Sequence, residues 1–300
     1  MPDILLVIGA AGQLASALAE AKPPLGCILA CVGRPRADVT SPPSLEAVLG
    51  ELRPRIVINT AAHTAVDRAE RERDAAFAVN ARGVASLATL CAARDTPLIH
   101  ISTDYVFDGR KTSPYREDDP VGPLNVYGAS KLAGEDAVRA CHPCHLILRT
   151  SWLYSASGAN FFTTMLRLAR ERDEVAVVDD QRGSPTYAGD LARAMMAAAA
   201  GVLAGEQLWG TYHVSASGET SWHGFAAEIF ARAAARGLRT PQLKAISSAE
   251  YGAPAARPAY SVLDAGRFAT LFRHPMPDWR EGLDRCLAAC GAAMLQGVRA

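Results

Sequence analysis

Tyr127 and Lys131 stand four residues apart in Tyr127-Gly128-Ala129-Ser130-Lys131. On a helix that spacing puts both on one face. A phenol with pKa about 10 is a poor acid or base near neutrality. An ammonium beside it favours the phenolate and is expected to lower that value. Such a pair can pass a proton to or from a substrate oxygen. Tyr-x-x-x-Lys also arises by chance on amphipathic helices, so its surroundings decide what it means. Upstream, Leu98-Ile99-His100-Ile101-Ser102-Thr103 has the pattern of a strand ending in hydroxyls. Thr103 or Ser102 could there hold a substrate carbonyl beside Tyr127.

A second reactant is indicated near the N-terminus. Ile4 to Ile8 forms an apolar strand pattern, followed by Gly9-Ala10-Ala11-Gly12-Gln13-Leu14-Ala15 and a helical pattern through Leu14, Ala17 and Leu18. Strand, glycine turn and helix are the setting in which these glycines have meaning. They let the backbone approach a pyrophosphate, and the helix N-terminus offers amide donors. The next strand, Ile28 to Val32, ends at Gly33-Arg34-Pro35-Arg36, with no acid before Asp38. An acid here serves NAD, whereas an Arg accommodates the 2′-phosphate of NADP. Arg34 and Arg36 therefore favour NADP over the plain alternative of two solvated arginines, and Asp38-Val39 is expected at the adenine. The apolar strand Arg55 to Thr60 opens into Ala61-Ala62-His63-Thr64-Ala65-Val66-Asp67, whose small residues would admit ribose and phosphates. His63 fits a ligand contact and a structural loop histidine equally well. In the helix expected from Asp74 to about Arg94, Asn80 lies among apolar neighbours. It either ties the site's backbone together or is a satisfied core polar group.

The elements that carry these residues predict an α/β protein with a Rossmann-type doubly wound parallel sheet and a smaller α/β substrate-binding domain towards the C-terminus. The expected division is 1–152 for the dinucleotide domain, with a returning segment near 174–205, and 153–173 plus 206–300 for substrate. Trp152 ends another strand, where its indole could stack on a bound ring or plug the core. Helices are expected at Ser44–Leu52, Asn160–Arg172, Asp190–Leu203, Ser221–Arg236 and Leu283–Leu295. Strands are expected at Glu174–Gln181 and Gly210–Val214.

Formal net charge is zero, which argues against a nucleic-acid or polybasic membrane surface. No run reaches the roughly 18 apolar residues of a membrane span, and the first residues lack the basic start and cleavage site of a signal peptide. Seven cysteines make no disulfide framework and suit a reducing cytoplasm. Cys141-His142-Pro143-Cys144-His145 matches a haem-attachment pattern, but with no second ligand cluster it is expected to be a helix-to-strand connection. No metal site is expected.

Taken together, Gly9-x-x-Gly12, the run Ser102 to Gly109 and Tyr127-x-x-x-Lys131 resemble an extended short-chain dehydrogenase/reductase. Ala61 to Glu70, Pro123 to Gly128, Arg149 to Tyr154 and Asp180 to Thr186 narrow the resemblance to the dTDP-4-dehydrorhamnose reductase family, over residues 4 to about 285. The resemblance implies that NADPH, with NADH as the alternative, reduces C4 of dTDP-4-dehydro-6-deoxy-L-mannose to give dTDP-L-rhamnose. It implies Thr103, Tyr127 and Lys131 as the catalytic set, Tyr127 as proton donor. Gly9, Gly12, Gln13, Leu14, Arg34, Asp38, Val39, Ala61, Ala62 and His63 would hold the cofactor, with Tyr127 and Lys131. Thr64, Val66, Thr103, Asp104, Tyr105, Trp152 and Arg257 would meet the nucleotide sugar, Arg257 at its diphosphate.

Related dehydratases carry a Glu after Thr-Asp, and Tyr105 stands there instead, which disfavours dehydration. Where the family has Asn and Arg after Arg257-Pro258, this chain has Tyr260 and Val262. Those departures keep open a reductase of another dTDP-4-keto-6-deoxy sugar. A non-catalytic regulatory subunit like the methionine adenosyltransferase partner is the alternative from another class. Some relatives dimerise through a metal held by glutamates. Two of those places are Ala17 and Gly189, and Cys286 to Leu295 holds no acid, so a homodimer here is not expected to use that metal.

Overall fold

The computed structural model describes residues 2–290. Its centre is a six-stranded, wholly parallel sheet. Strand β1 (Asp3–Ile8) feeds helix α1 (Gln13–Glu20), and β2 (Cys27–Val32) leads to α2 (Pro42–Leu52). Strand β3 (Ile56–Asn59) is followed by the short α3 (Val66–Ala69) and α4 (Arg73–Phe77). One π-helical turn, Ala78–Arg82, joins α4 to α5 (Gly83–Ala92). Then come β4 (Leu98–Thr103), α6 (Val126–Cys141) and β5 (His145–Thr150). All four residues of β3 and all six of β5 are buried, as expected of strands covered on both faces. The spatial order places β2 and β1 on one side of β3, β4 and β5. The chain therefore reverses direction across the sheet between β1 and β3, the crevice where ligands bind in such sheets.

Beyond β5 the chain builds a second lobe. It comprises β6 (Leu153–Tyr154), α7 (Phe161–Glu171), β7 (Glu174–Val178), β8 (Arg182–Gly183) and β9 (Thr186–Tyr187). Helix α8 (Ala188–Leu203) returns to the sheet, where Leu191, Met195 and Ala198 share a buried cluster with Leu14 and Leu18 of α1. Then follow β10 (Gly210–His213), β11 (Thr220–Ser221), α9 (Trp222–Ala234), β12 (Gln242–Ile246), α10 (Ser248–Tyr251), α11 (Gly266–Leu271) and α12 (Trp279–Ala289). Phe162, Phe225, Ile229, Trp279 and Leu283 form this lobe's core. Helix α7 starts on a reciprocal cap: Asn160 accepts from the Thr163 N–H while Thr163 accepts from the Asn160 N–H, which satisfies two terminal donors at once.

Two placements differ from the sequence division. Strand β10 was expected in the substrate domain, yet it pairs with β5 as the sixth strand of the central sheet. Strand β7 was expected in the returning segment, yet it pairs with β12 in a small sheet of the second lobe. Local patterning marks a short apolar strand but carries no information about a partner far along the chain. The expected last helix ends at Ala289 in the structure, and positions 291–295 lie outside the described residues. The helical run Arg73–Ala92 is long and apolar enough to cross a membrane by length and composition alone. It is broken by the π turn, and Val84, Leu87, Ala88 and Cys91 are fully buried against the sheet.

Candidate active site

Gly9 ends β1 with φ +108°, and a Cβ there would lie 2.8 Å from Thr60 Oγ1 and 2.9 Å from the Ala61 nitrogen. Only glycine lets β1 and the β3 loop close on each other at the crevice. Gly12 is the N-cap of α1 and supplies no side-chain cap, so the first amides of the helix stay available to an anion. Gln13 at the helix start accepts from Ser155 Oγ at 3.0 Å, which ties this turn to the second lobe.

Helix α6 presents Tyr127 and Lys131. It is capped by Asn125, whose Oδ1 accepts from the Gly128 N–H at 2.7 Å. It also lies against backbone: a Cβ on Gly128 would be 2.2 Å from the Tyr105 carbonyl oxygen, and one on Gly134 2.1 Å from that of Asn80. The π turn holds Asn80 fully buried. Its Oδ1 accepts from the His63 N–H (2.8 Å), and its Nδ2 donates to the His63 carbonyl (3.0 Å) and to Ser130 Oγ (2.9 Å). Of the two roles expected for Asn80, the structure shows the first: it clamps the β3 loop to α6.

One cavity of about 460 Å³ opens between the two lobes. Thr103, Asp104, Tyr105, Tyr127 and Lys131 line it on the sheet side, with Gly12, Gln13 and Leu14 of the glycine turn and Ala62, Thr64 and Val66 of the β3 loop. Trp152 lies at the junction, and Asn160, Phe161 and Trp222 line it from the second lobe.

The expected effect of Lys131 on Tyr127 is not what the structure shows. Burial pushes the Tyr127 phenol up to about 12, with Thr103 opposing and Asp104 reinforcing the rise. The Lys131 ammonium instead donates to the Ile101 carbonyl at 2.6 Å. Its own pKa falls to about 8 through burial, against the pull of Glu135. Desolvation, invisible in residue spacing, decides both groups. His100, 3.5 Å from Lys131 Nζ, is held well below its ordinary value by burial and by that lysine. Asn59 Oδ1 accepts from the Ala61 N–H, so Asn59 Nδ2 is the group that donates to His100 Nδ1 at 3.1 Å. Asp104 is 2 % exposed, and its Oδ2 has no partner. Burial raises its carboxyl to about 7.

Residues 3–291 match the family described as RmlD substrate binding domain. The chain is 44 % identical over 288 residues to the dTDP-4-dehydrorhamnose reductase of Sinorhizobium fredii, covering 95 % of this chain and 97 % of that protein. It is 41 % identical to the Escherichia coli enzyme of the same name, covering 94 % and 96 %. A crystal structure of dTDP-4-dehydrorhamnose reductase from Bacillus anthracis in complex with NADP superposes with TM-score 0.89 at 40 % identity, covering 96 % and 99 %.

The chain belongs to the dTDP-4-dehydrorhamnose reductase family.

Several residues that the family resemblance assigned to ligands lie outside the central cavity. Arg257 is committed to protein: it donates to Asp67 Oδ2 at 2.9 Å and to the Ala255 carbonyl at 3.0 Å. Val39 buries its side chain beneath the sheet, which leaves only its backbone for a ligand. Asp38 is held below the usual carboxylate range by Thr40. Arg34 is exposed, whereas Arg36 pairs with Glu51 at 2.7 Å. His63 faces Glu72 at 3.4 Å, and its Nδ1 is buried without a partner. Gly9 and Ala61 shape the crevice from behind.

Trp152 adopts φ +47°, and the indole of Trp222 stacks on it with centroids 3.5 Å apart and planes 5° apart. One face expected for a sugar is thus covered by Trp222. Trp222, Phe161 and Asn160 were missed by sequence reasoning. The available signals were only the caps that precede them, because nothing local says that two helix starts of the second lobe face the crevice. The departures at Tyr260 and Val262 do not line the cavity. Tyr260 donates to Glu219 at 2.9 Å, and Val262 packs with Val106, Phe107 and Tyr115. In the Cys141–His145 stretch, the His142 and His145 rings meet the backbone carbonyls of Thr96 and His142.

Proposed function

We propose that this protein reduces the C4 ketone of dTDP-4-dehydro-6-deoxy-L-mannose to give dTDP-L-rhamnose, using NADPH. The observation that carries the reading is the convergence of Thr103, Tyr127 and Lys131 with the glycine turn in one inter-lobe cavity, in a chain of this family. The Gly9–Thr60 contact and the uncapped α1 start fit a dinucleotide, and the exposed Arg34 suits a 2′-phosphate. NADPH, when bound, supplies the hydride.

Tyr127 is neutral near pH 7, as any phenol is and as burial reinforces, and the neutral form can donate a proton to the substrate oxygen as charge develops there. The Thr103 hydroxyl, which donates to Asp104 Oδ1 at 3.1 Å in the structure, would turn to donate its hydrogen bond to the same oxygen. Lys131, which lines the cavity, would hold the nicotinamide ribose and supply positive charge there. Tyr105 stands where related dehydratases carry a Glu, and without that carboxyl the site lacks the acid that expels water, so the reaction stops at reduction. The second lobe, through Asn160, Phe161 and Trp222, receives the nucleotide sugar. Seven free thiols accord with a cytoplasmic location.

The test is product identification by NMR and mass spectrometry with purified protein, NADPH and the 4-keto sugar nucleotide. Formation of dTDP-L-rhamnose is expected. NADPH oxidation confined to a differently configured 4-keto sugar would replace the substrate, and absence of turnover with all of them would remove the reductase reading.

A further inference from the structure

Tyr127, Lys131 and Glu135 occupy successive i, i+4 positions of α6, so one buried helix face carries all three. Glu135 is fully buried. Its oxygens accept from Arg149 Nε (2.9 Å) and Nη2 (2.7 Å), from Ser102 Oγ (2.5 Å) and from Arg139 Nη2 (2.7 Å). Burial alone would push this carboxyl up, but Arg149, Ser102 and Arg139 outweigh it and hold Glu135 below its ordinary value. Arg149 is itself 2 % exposed, and its Nη1 has no partner. Apolar residues of similar volume are often as stabilising as such a buried pair, so stability alone does not account for it.

The ion pair lies next to the reacting groups. Ser102 immediately precedes Thr103 and lines the same cavity. Lys131 donates to the carbonyl of Ile101, the residue before that. The end of β4 is thus fastened to α6 at two consecutive residues, one through Lys131 and one through Glu135. The groups of other elements near Lys131 supply no second anion that opposes burial there. His100 of β4 is neutral, and Asp104 acts on Tyr127. Arg149 of β5 and Arg139 of α6 are both engaged by Glu135.

We propose, resting on the reductase reading, that Glu135 is a positioning residue: anchored by Arg149 and one helical turn from Lys131, it keeps the buried Lys131 ammonium protonated and fixes the strand end that carries Thr103. Lys131 then enters each turnover as a cation despite its burial.

The chain has four lysines, Lys22, Lys111, Lys131 and Lys244, so lysine labelled with ¹³C at Cε gives a readable titration by NMR, with Lys131→Arg assigning the signal. Lys131 is expected to titrate near 8 in the wild type. In Glu135→Gln it should titrate lower by about one pH unit, the effect of removing one opposite charge a helical turn away. Glu135→Asp keeps the charge and should restore most of the wild-type value. Because Glu135→Gln strands the Arg149 guanidinium, the double variant Glu135→Gln/Arg149→Met supplies the same comparison without an orphaned cation and should show the same direction.

A Lys131 titration unmoved in both variants overturns the proposal, even if thermal stability or turnover falls, since a purely structural role predicts that result. The titration does not depend on turnover. A wild type without activity, in which Lys131 still follows Glu135, would sink the reductase reading and leave the charge relation standing.

Discussion

At the scale of single residues, Tyr127 and Asp104 carry the sharpest expectations. Tyr127→Phe deletes the hydroxyl assigned to proton donation while leaving the ring in place. Steady-state kinetics should show kcat reduced by about 100-fold or more, the usual size of an acid–base contribution, with KM changed far less. Retention of full kcat would move the proton donor elsewhere. Asp104 makes a prediction about stability against pH. Its folded-state value, raised to about 7 by burial, lies above the value of about 3.9 for an unfolded chain. Between those two values the folded protein holds a proton that the unfolded chain has released, so this group's contribution falls as pH rises through the window. The stability of wild type minus that of Asp104→Asn should therefore decline from pH 4 to pH 7 and level off above it, as read by urea denaturation at each pH. A flat difference would show that Asp104 is not a buried, under-solvated carboxyl. That Thr103, Tyr127 and Lys131 line one cavity was legible in the sequence because their spacing is local to one helix and one strand end. The protonation states were not, since they follow from how deeply the folded molecule buries each group.

At the scale of elements, the π turn at Ala78–Arg82 does the positioning that spacing could not reveal. A helix over the whole stretch was expected, and helix there is. The wider turn sets Asn80 against both the β3 loop and Ser130 of α6, and Ser130 in turn donates to the Tyr127 carbonyl at 2.7 Å. Asn80→Ala would strand the partly buried His63 amide and carbonyl, at a cost of about 1–3 kcal/mol for an unsatisfied group. The same change frees the loop that lines the cofactor side of the cavity. Chemical denaturation should report that loss, and fluorescence titration should show weaker NADPH binding. Loss of stability with NADPH affinity intact would make Asn80 a core residue only. Gly128 and Gly134 were visible in the sequence, but the reason for them was not: each meets backbone from a segment distant in the chain. The stacked Trp152 and Trp222 pair was hidden for the same reason, one indole coming from each side of the crevice.

At the scale of the whole molecule, two cores meet across a crevice, and the fastening between them bears on assembly. The six-stranded sheet was legible as a class from its alternation of apolar strands and amphipathic helices, whereas β10 as its edge strand was not, because pairing with β5 joins segments far apart in sequence. Asp190, next to Gly189 at the start of α8, is 1 % exposed. Arg285 of α12 clasps it with two bonds of 2.9 Å, and Arg193 adds a third cation contact. Glutamates near this position, near Ala17 and near the C-terminus are the bridging ligands expected in metal-linked dimers of the family. Here the acid beside Gly189 is buried and spent on guanidinium groups, one of which joins the two lobes, so it is not free to ligate a metal. Any self-association should therefore be indifferent to chelators: sedimentation velocity with and without EDTA should give the same distribution. Dissociation on chelation would show that the chain finds bridging ligands other than these. Arg285→Met takes two bonds from Asp190 but leaves it Arg193, so urea denaturation should show a loss of about 1–3 kcal/mol, while the sedimentation distribution of the folded protein stays unchanged, because the Asp190–Arg285 pair acts within one chain.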